Sequence, residues 1–91
     1  MAEFEWDPEK NKQNLAKHGI SFEEAKSIFD GTVLSLQDED PDGEVRERSY
    51  GLLGGVVVVC VVHTLRGEKI RIISARKATR QERTLFNAYF R

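Results

Sequence analysis

Cysteine, histidine, proline and long apolar runs are all scarce in this chain. With Cys60 as the only cysteine no intrachain disulfide forms, and its place inside a valine run reads as a buried, inert thiol. The longest apolar run, residues 56–62, is far short of the roughly 20 residues that a membrane-spanning helix needs. At the N-terminus Glu3, Glu5 and Asp7 surround Phe4 and Trp6, where a secretion signal carries basic residues and an apolar stretch, so a cytoplasmic location without membrane contact is expected. His18 and His63 are the only histidines and have no cysteine or carboxylate at recognisable ligand spacing, so no metal site and no cofactor is expected. Asp38-Glu39-Asp40-Pro41-Asp42-Gly43 begins like a calcium loop. Its twelfth position is Ser49 rather than a bidentate Glu, and Pro41 interrupts it, so it reads as a solvated acidic turn.

What is present is the composition of a folding chain: 91 residues, 40% hydrophobic and 32% charged, which fits one small domain spanning residues 1–91. A domain of this size buries only about 60–65% of its unfolded surface, which leaves room for a partner or a second copy to cover more. The net charge of −1 hides a division. Residues 1–62 hold 6 basic and 13 acidic residues, net −7, whereas residues 63–91 hold 8 basic and 2 acidic, net +6. Such a basic third is an electrostatic footprint for phosphate if the fold gathers its charges on one face.

The order of local signals predicts an α+β fold. Asp7-Pro8 is an N-cap followed by proline at the first helical position, opening a helix to about Lys17 that Gly19 closes. Ser21-Phe22-Glu23-Glu24 is a capping box for a second short helix, with Phe22, Ala25, Ile28 and Phe29 on one face and Asp30-Gly31 as its end. Strands follow at Val33–Leu36, Arg46–Leu52, Val56–His63 and Lys69–Ser74, with Gly54-Gly55 as a two-residue hairpin turn. The valine strand is apolar on both faces, as a central strand is. Thr79-Arg80-Gln81-Glu82 is a second capping box, opening a helix with Leu85, Phe86, Tyr89 and Phe90 as an apolar stripe. Two N-terminal helices, a mostly antiparallel meander and a C-terminal helix are expected, with the helices on one face of the sheet.

The chemistry-bearing residues concentrate late in the chain. Arg66, Lys69, Arg71, Arg76, Lys77, Arg80 and Arg83 form the basic set, with Arg48 on the hairpin strand as an addition. Arg76, Lys77 and Arg80 fall near the start of the last helix, whose free N–H groups favour an anion, so this junction is the best phosphate pocket visible. The plainer alternative is a solubilised surface paired with the acidic first half. An imidazole side chain suits proton transfer near neutral pH, which makes His18 a candidate, but it equally caps its helix. His63 continues the valine strand and fits a cross-strand pairing. Trp6 and Phe22 suit the core better than a base-stacking platform.

The segments Phe4-Glu5-Trp6-Asp7-Pro8, Lys10-Asn11 and Asn14-Leu15-Ala16-Lys17-His18-Gly19-Ile20-Ser21-Phe22-Glu23-Glu24-Ala25 resemble the BrnT toxin family of bacterial type II toxin–antitoxin systems. Residues 71–83, Arg-Ile-Ile-Ser-Ala-Arg-Lys-Ala-Thr-Arg-Gln-Glu-Arg, resemble that family's other signature, and Glu47-Arg48 with Gly51 fits the strand between; residues 35–44 carry no family feature. The resemblance implies a RelE-like fold and an endoribonuclease that cuts RNA and inhibits translation. It also implies a BrnA-type antitoxin carrying a DNA-binding domain, a heterotetrameric complex, and repression of the operon through operator DNA. Metal-independent RNA cleavage uses the 2′-OH as nucleophile, so the protein positions the strand, moves a proton and stabilises the phosphorane. On this reading Arg48, Arg71 and Arg76 contact the phosphate or transition state, and Lys17 and His18 transfer protons. Ser74 and Glu82 support them, and Arg66, Lys77 and Arg80 hold RNA. The competing reading is a non-enzymatic domain whose basic surface clasps an antitoxin-like partner.

Overall fold

The computed structural model describes residues 3–39 and 45–90; of the predicted acidic turn, Asp38–Gly43, Asp38 and Glu39 are strand instead, and residues 40–43 lie outside the described residues. Helix α1 (Pro8–His18) starts where Asp7 accepts a hydrogen bond from the Glu9 N–H at 2.9 Å, and stops at Gly19, whose φ of 72° lets its N–H return to the Leu15 carbonyl. The Ser21–Glu24 capping box opens α2 (Phe22–Ala25), but the helix tightens at once into a 3-10 segment, Lys26–Asp30, rather than continuing as one α-helix.

Four strands form the expected antiparallel meander: β2 (Leu34–Glu39), β3 (Val45–Leu53), β4 (Val57–Arg66) and β5 (Lys69–Lys77). Gly54 and Gly55 both take positive φ, 61° and 73°, as a two-residue hairpin requires; Val56 falls in this turn and outside the strand. A fifth strand was not expected. Glu3–Glu5, here β1, adds parallel to β5 and gives the order β1-β5-β4-β3-β2. Its register sets Glu3 against Lys69 and Glu5 against Arg71, with Phe4 beside Ile70, so opposite charges flank an apolar pair.

β5 runs to Lys77 instead of ending at Ser74, because β4 pairs with it as far as Val59 opposite Lys77, and α1 takes up its other edge where β1 stops. Asn14 Nδ2 donates to the Ala75 carbonyl at 2.8 Å while its Oδ1 accepts from the Ala75 N–H at 3.2 Å, the pattern a neighbouring strand would supply. A register shift at Val62/His63 leaves Ile73 unopposed and keeps Ile72 and Ala75 in the same core.

The helices cover both faces of the sheet, not one. Ile20, Phe22, Ala25 and Ile28 pack on Val59, Val61, Ile72 and Ala75. On the other face α3 (Arg80–Phe90) brings Phe86, with Ala78 before it, onto Leu34, Tyr50, Val58 and Cys60. β4 is the cause: apolar in both directions, it requires cover on both. Of the predicted stripe on α3 only Phe86 is buried; Tyr89 is 65% exposed. No helix among the described residues is long and apolar enough to cross a membrane.

Candidate functional site

Cross-strand register determines which side chains meet on the α3 face. Tyr50 pairs with Cys60 and Cys60 with Arg76, while Arg48 pairs with Val62 and Val62 with Ser74, so Arg48, Tyr50 and Arg76 stand on one face. Over them the capping box of α3 delivers Glu82. The Thr79 N–H donates to Glu82 Oε1 at 2.8 Å, and the Glu82 N–H donates to Thr79 Oγ1 at 3.2 Å, which fixes the carboxylate above the sheet.

Glu82 is the hub. Arg76 grips it with both ends of its fork, Nη1 to Oε1 at 2.7 Å and Nη2 to Oε2 at 3.1 Å, and the Tyr50 hydroxyl donates to Oε2 at 2.6 Å. Arg48 Nη1 donates to the Tyr50 oxygen at 2.9 Å and stands 3.9 Å from Glu82 Oε2. The rest of the Arg48 fork faces Asp38, with Nε 2.5 Å from Oδ2 and Nη2 3.2 Å from Oδ1. Two guanidiniums thus converge on one carboxylate, the second through a phenol. Both arginine side chains keep about a third of their surface exposed, 32% and 34%, against 14% for Glu82.

The titration behaviour follows from these contacts. The Arg76 fork, against the opposing effect of burial and with help from Thr79 and Tyr50, holds the Glu82 carboxyl down to about 2. Burial pushes the Tyr50 phenol up, and its bond to Glu82 pushes further, so it stays protonated well above neutrality. The same Glu82 bond raises Arg76. For Arg48, burial is the largest single effect and pulls downward, but the Asp38 hydrogen bond together with the nearby negative groups outweighs it, and the net direction is up. Beneath the cluster, burial raises the Cys60 thiol against the nearby Arg76 charge, in keeping with an inert cysteine. At neutral pH the cluster holds two cations and two anions, Asp38 included. Planar forks of this kind bind tetrahedral oxyanions as readily as carboxylates.

Of the sequence-predicted residues the fold brings Arg48, Arg76 and Glu82 into contact; Ser74, paired with Val62, shares their sheet face outside that bonded cluster, and the others stand apart from it. Lys17, His18 and Ser74 line a shallow cleft of about 270 Å³ with Lys10, Gln13, Asn14 and Ile73. Arg71 Nη1 is engaged by Glu5 Oε2 at 3.1 Å on the β1 seam. Arg66 ends β4, Lys77 is exposed at the end of β5, and Arg80 is exposed at the start of α3, next to the cluster in sequence. The phosphate pocket predicted at the start of α3 is filled from within, because Glu82 occupies both the Thr79 N–H and the Arg76 fork. Tyr50 and Asp38 were not singled out. Strand alternation from Arg48 points to Tyr50, whereas Asp38 reads as loop in the sequence and becomes a partner only because β2 extends to Glu39. His63 makes the predicted cross-strand pairing, with Ser49, on the opposite face.

A protein-family model described as "Ribonuclease toxin, BrnT, of type II toxin-antitoxin system" matches residues 6–82. The chain is also similar to the 1.1 Å crystal structure of the Brucella abortus ribonuclease toxin BrnT, with a TM-score of 0.66 and 24% identity, over 88% of this chain and 100% of that one. No curated protein matches the chain.

Proposed function

Because this chain belongs to the BrnT family of ribonuclease toxins of type II toxin–antitoxin systems, we propose that it is an endoribonuclease centred on Arg48, Tyr50, Arg76 and Glu82. The observation that carries this reading is the convergence of two partly exposed arginines on one internal anion. A phosphodiester entering the cluster takes the Arg76 fork from Glu82, and the arginines then stabilise the extra charge of the phosphorane. The 2′-OH of the RNA is the nucleophile, so this scheme requires no metal. Glu82, released from Arg76, regains basicity and accepts the 2′-OH proton, while Tyr50 donates to a phosphate oxygen or the leaving 5′ oxygen. Lys77, Arg80 and Arg66 hold the flanking strand. Lys17 and His18 are proton-transfer candidates only if RNA spans from this cluster to the cleft beside α1, and Arg71 and Ser74 depend on the same path.

The partner in this reading is a BrnA-type antitoxin. Together they form a heterotetramer that represses its own operon through operator DNA bound by the antitoxin. RNA cleavage by the free toxin inhibits translation.

The purified chain is incubated with structured RNA in EDTA, with and without antitoxin. Cleavage is expected to survive chelation, to stop with antitoxin and to fall about 10²-fold or more in Arg76→Ala, as for removal of one transition-state donor. Lys17→Ala and His18→Ala lose activity to a comparable extent only if they move protons. A second reading, a binding domain without activity, is favoured by the internal neutralisation of the cluster. A folded chain that binds antitoxin tightly but leaves RNA intact, with or without ribosomes, would establish it.

A further inference from the structure

On the face opposite the arginines, the helical layer leaves part of the sheet uncovered, and a cavity of about 530 Å³ opens there. Its walls are apolar, with Phe29, Val33, Leu65 and Ile70, and its floor is the buried pair Ser49 and His63. Ser49 Oγ lies 2.7 Å from His63 Nε2 and 2.8 Å from Ser35 Oγ, so a three-member relay runs from the buried ring to the exposed edge strand β2. His63 is 94% buried, being 6% exposed, yet its Nδ1 has no hydrogen-bond partner among the described residues while the ring lines the cavity. The Phe29 ring stands perpendicular to the imidazole at 5.2 Å and holds it in place.

These features narrow the occupant. Among the described residues no lysine or arginine lines the cavity, and Glu47 does, so charge disfavours phosphate and carboxylate ligands. A purely aliphatic occupant shields Nδ1 from water and leaves it unpaired, at a cost comparable to a lost hydrogen bond. A flat, neutral ring with donors and acceptors in its plane satisfies both demands, since its faces meet the apolar walls and its edge meets His63, Gln37 and Glu47. Reversal of the serine relay switches Nδ1 between donor and acceptor, so the floor accommodates either kind of edge.

We infer that this cavity is a pocket for a single unstacked nucleobase, read at its edge by His63 with Gln37 and Glu47. The inference rests on the ribonuclease reading only for the RNA that delivers the base; the pocket's chemistry stands apart from the arginine cluster. Arg48 and Ser49 are consecutive on β3 and point to opposite faces, with only the edge strand β2 between them and the open side of the sheet, which gives an RNA strand a short way round.

Phosphate-free nucleosides provide the test. Adenosine, guanosine, cytidine and uridine are titrated into the full chain while the ring nitrogens of its two histidines are followed by NMR. At least one nucleoside is expected to shift the His63 signals saturably and leave His18 unmoved, and inorganic phosphate is expected to leave His63 unmoved. Gln37→Ala, at an exposed position, should weaken that binding about fivefold, the worth of one hydrogen bond. Absence of any His63 shift up to nucleoside solubility, or shifts equal at both histidines, overturns the pocket whether or not RNA is cut. A specific His63 shift in a chain that cleaves no RNA upholds the pocket and removes the ribonuclease reading instead.

Discussion

Asn14 has a polar side chain that works as backbone. Besides its two bonds to Ala75 it donates to the Ile20 carbonyl at 2.9 Å, so a single buried amide joins α1, the turn after it and β5. Truncation in Asn14→Ala strands two carbonyls and an N–H, and a loss of about 2–3 kcal/mol is expected, at roughly 1 kcal/mol for each orphaned group. Equilibrium urea unfolding checks this: the midpoint should fall with the slope unchanged. Sequence offers no means of telling Asn14 from an ordinary helix surface residue, since its partner Ala75 is 61 positions away. Asn11 is equally hidden, its Oδ1 accepting from the Phe22 N–H at 2.8 Å. Arg48, Arg76 and Glu82 were visible because charge and capping are local signals, while the phenol linking them required the face of β3 to be known.

Caps and turns were the legible elements. Asp7, Gly19, the Ser21–Glu24 and Thr79–Glu82 boxes and the Gly54-Gly55 turn all act within three or four residues, and each sits where the pattern placed it. The elements that sequence reasoning missed depend on contacts made elsewhere. β1 has three residues, too few for alternation to register, and exists because β5 offers an edge with matched charges. The 3-10 segment lies directly on β3, where a Cβ at Gly51 would come within 2.8 Å of Ile28 Cβ and 3.2 Å of Val33 Cγ1. A branch-point carbon cannot move aside as a flexible tip does. Gly51→Ala is therefore expected to cost about 1–3 kcal/mol by overpacking, although the strand backbone itself favours alanine. Thermal melting of the variant checks the sign, and a neutral or stabilised Gly51→Ala would show that the segment lifts freely.

At the scale of the whole molecule the split between an acidic first part and a basic last third does not become two opposed surfaces. Arg48 pairs with Asp38 inside the first part and Arg76 with Glu82 inside the last, and Arg71 with Glu5 crosses between them. Global stability should nonetheless follow two titrations. Burial lowers His63 from its ordinary 6.5, so the fold favours the neutral ring, and stability present above pH 6.5 declines as the pH falls below it. Glu82 is depressed from 4.5 to about 2, so its contribution is complete above pH 4.5 and is lost as the pH falls toward 2. For this mostly buried carboxylate that contribution is on the order of 3 kcal/mol. Melting temperatures across pH 2–7 should show both limbs, and Glu82→Gln should flatten the lower one; an unchanged acid limb in that variant would refute the assignment. Among these contacts the β1 seam differs in kind. It closes a loop of 66 residues from Glu5 to Arg71, and its two outer register positions oppose unlike charges that salt screens. The amino-terminal strand is thus a latch whose hold slackens with ionic strength. Each opening uncovers a bare strand edge on β5 to which another chain can pair.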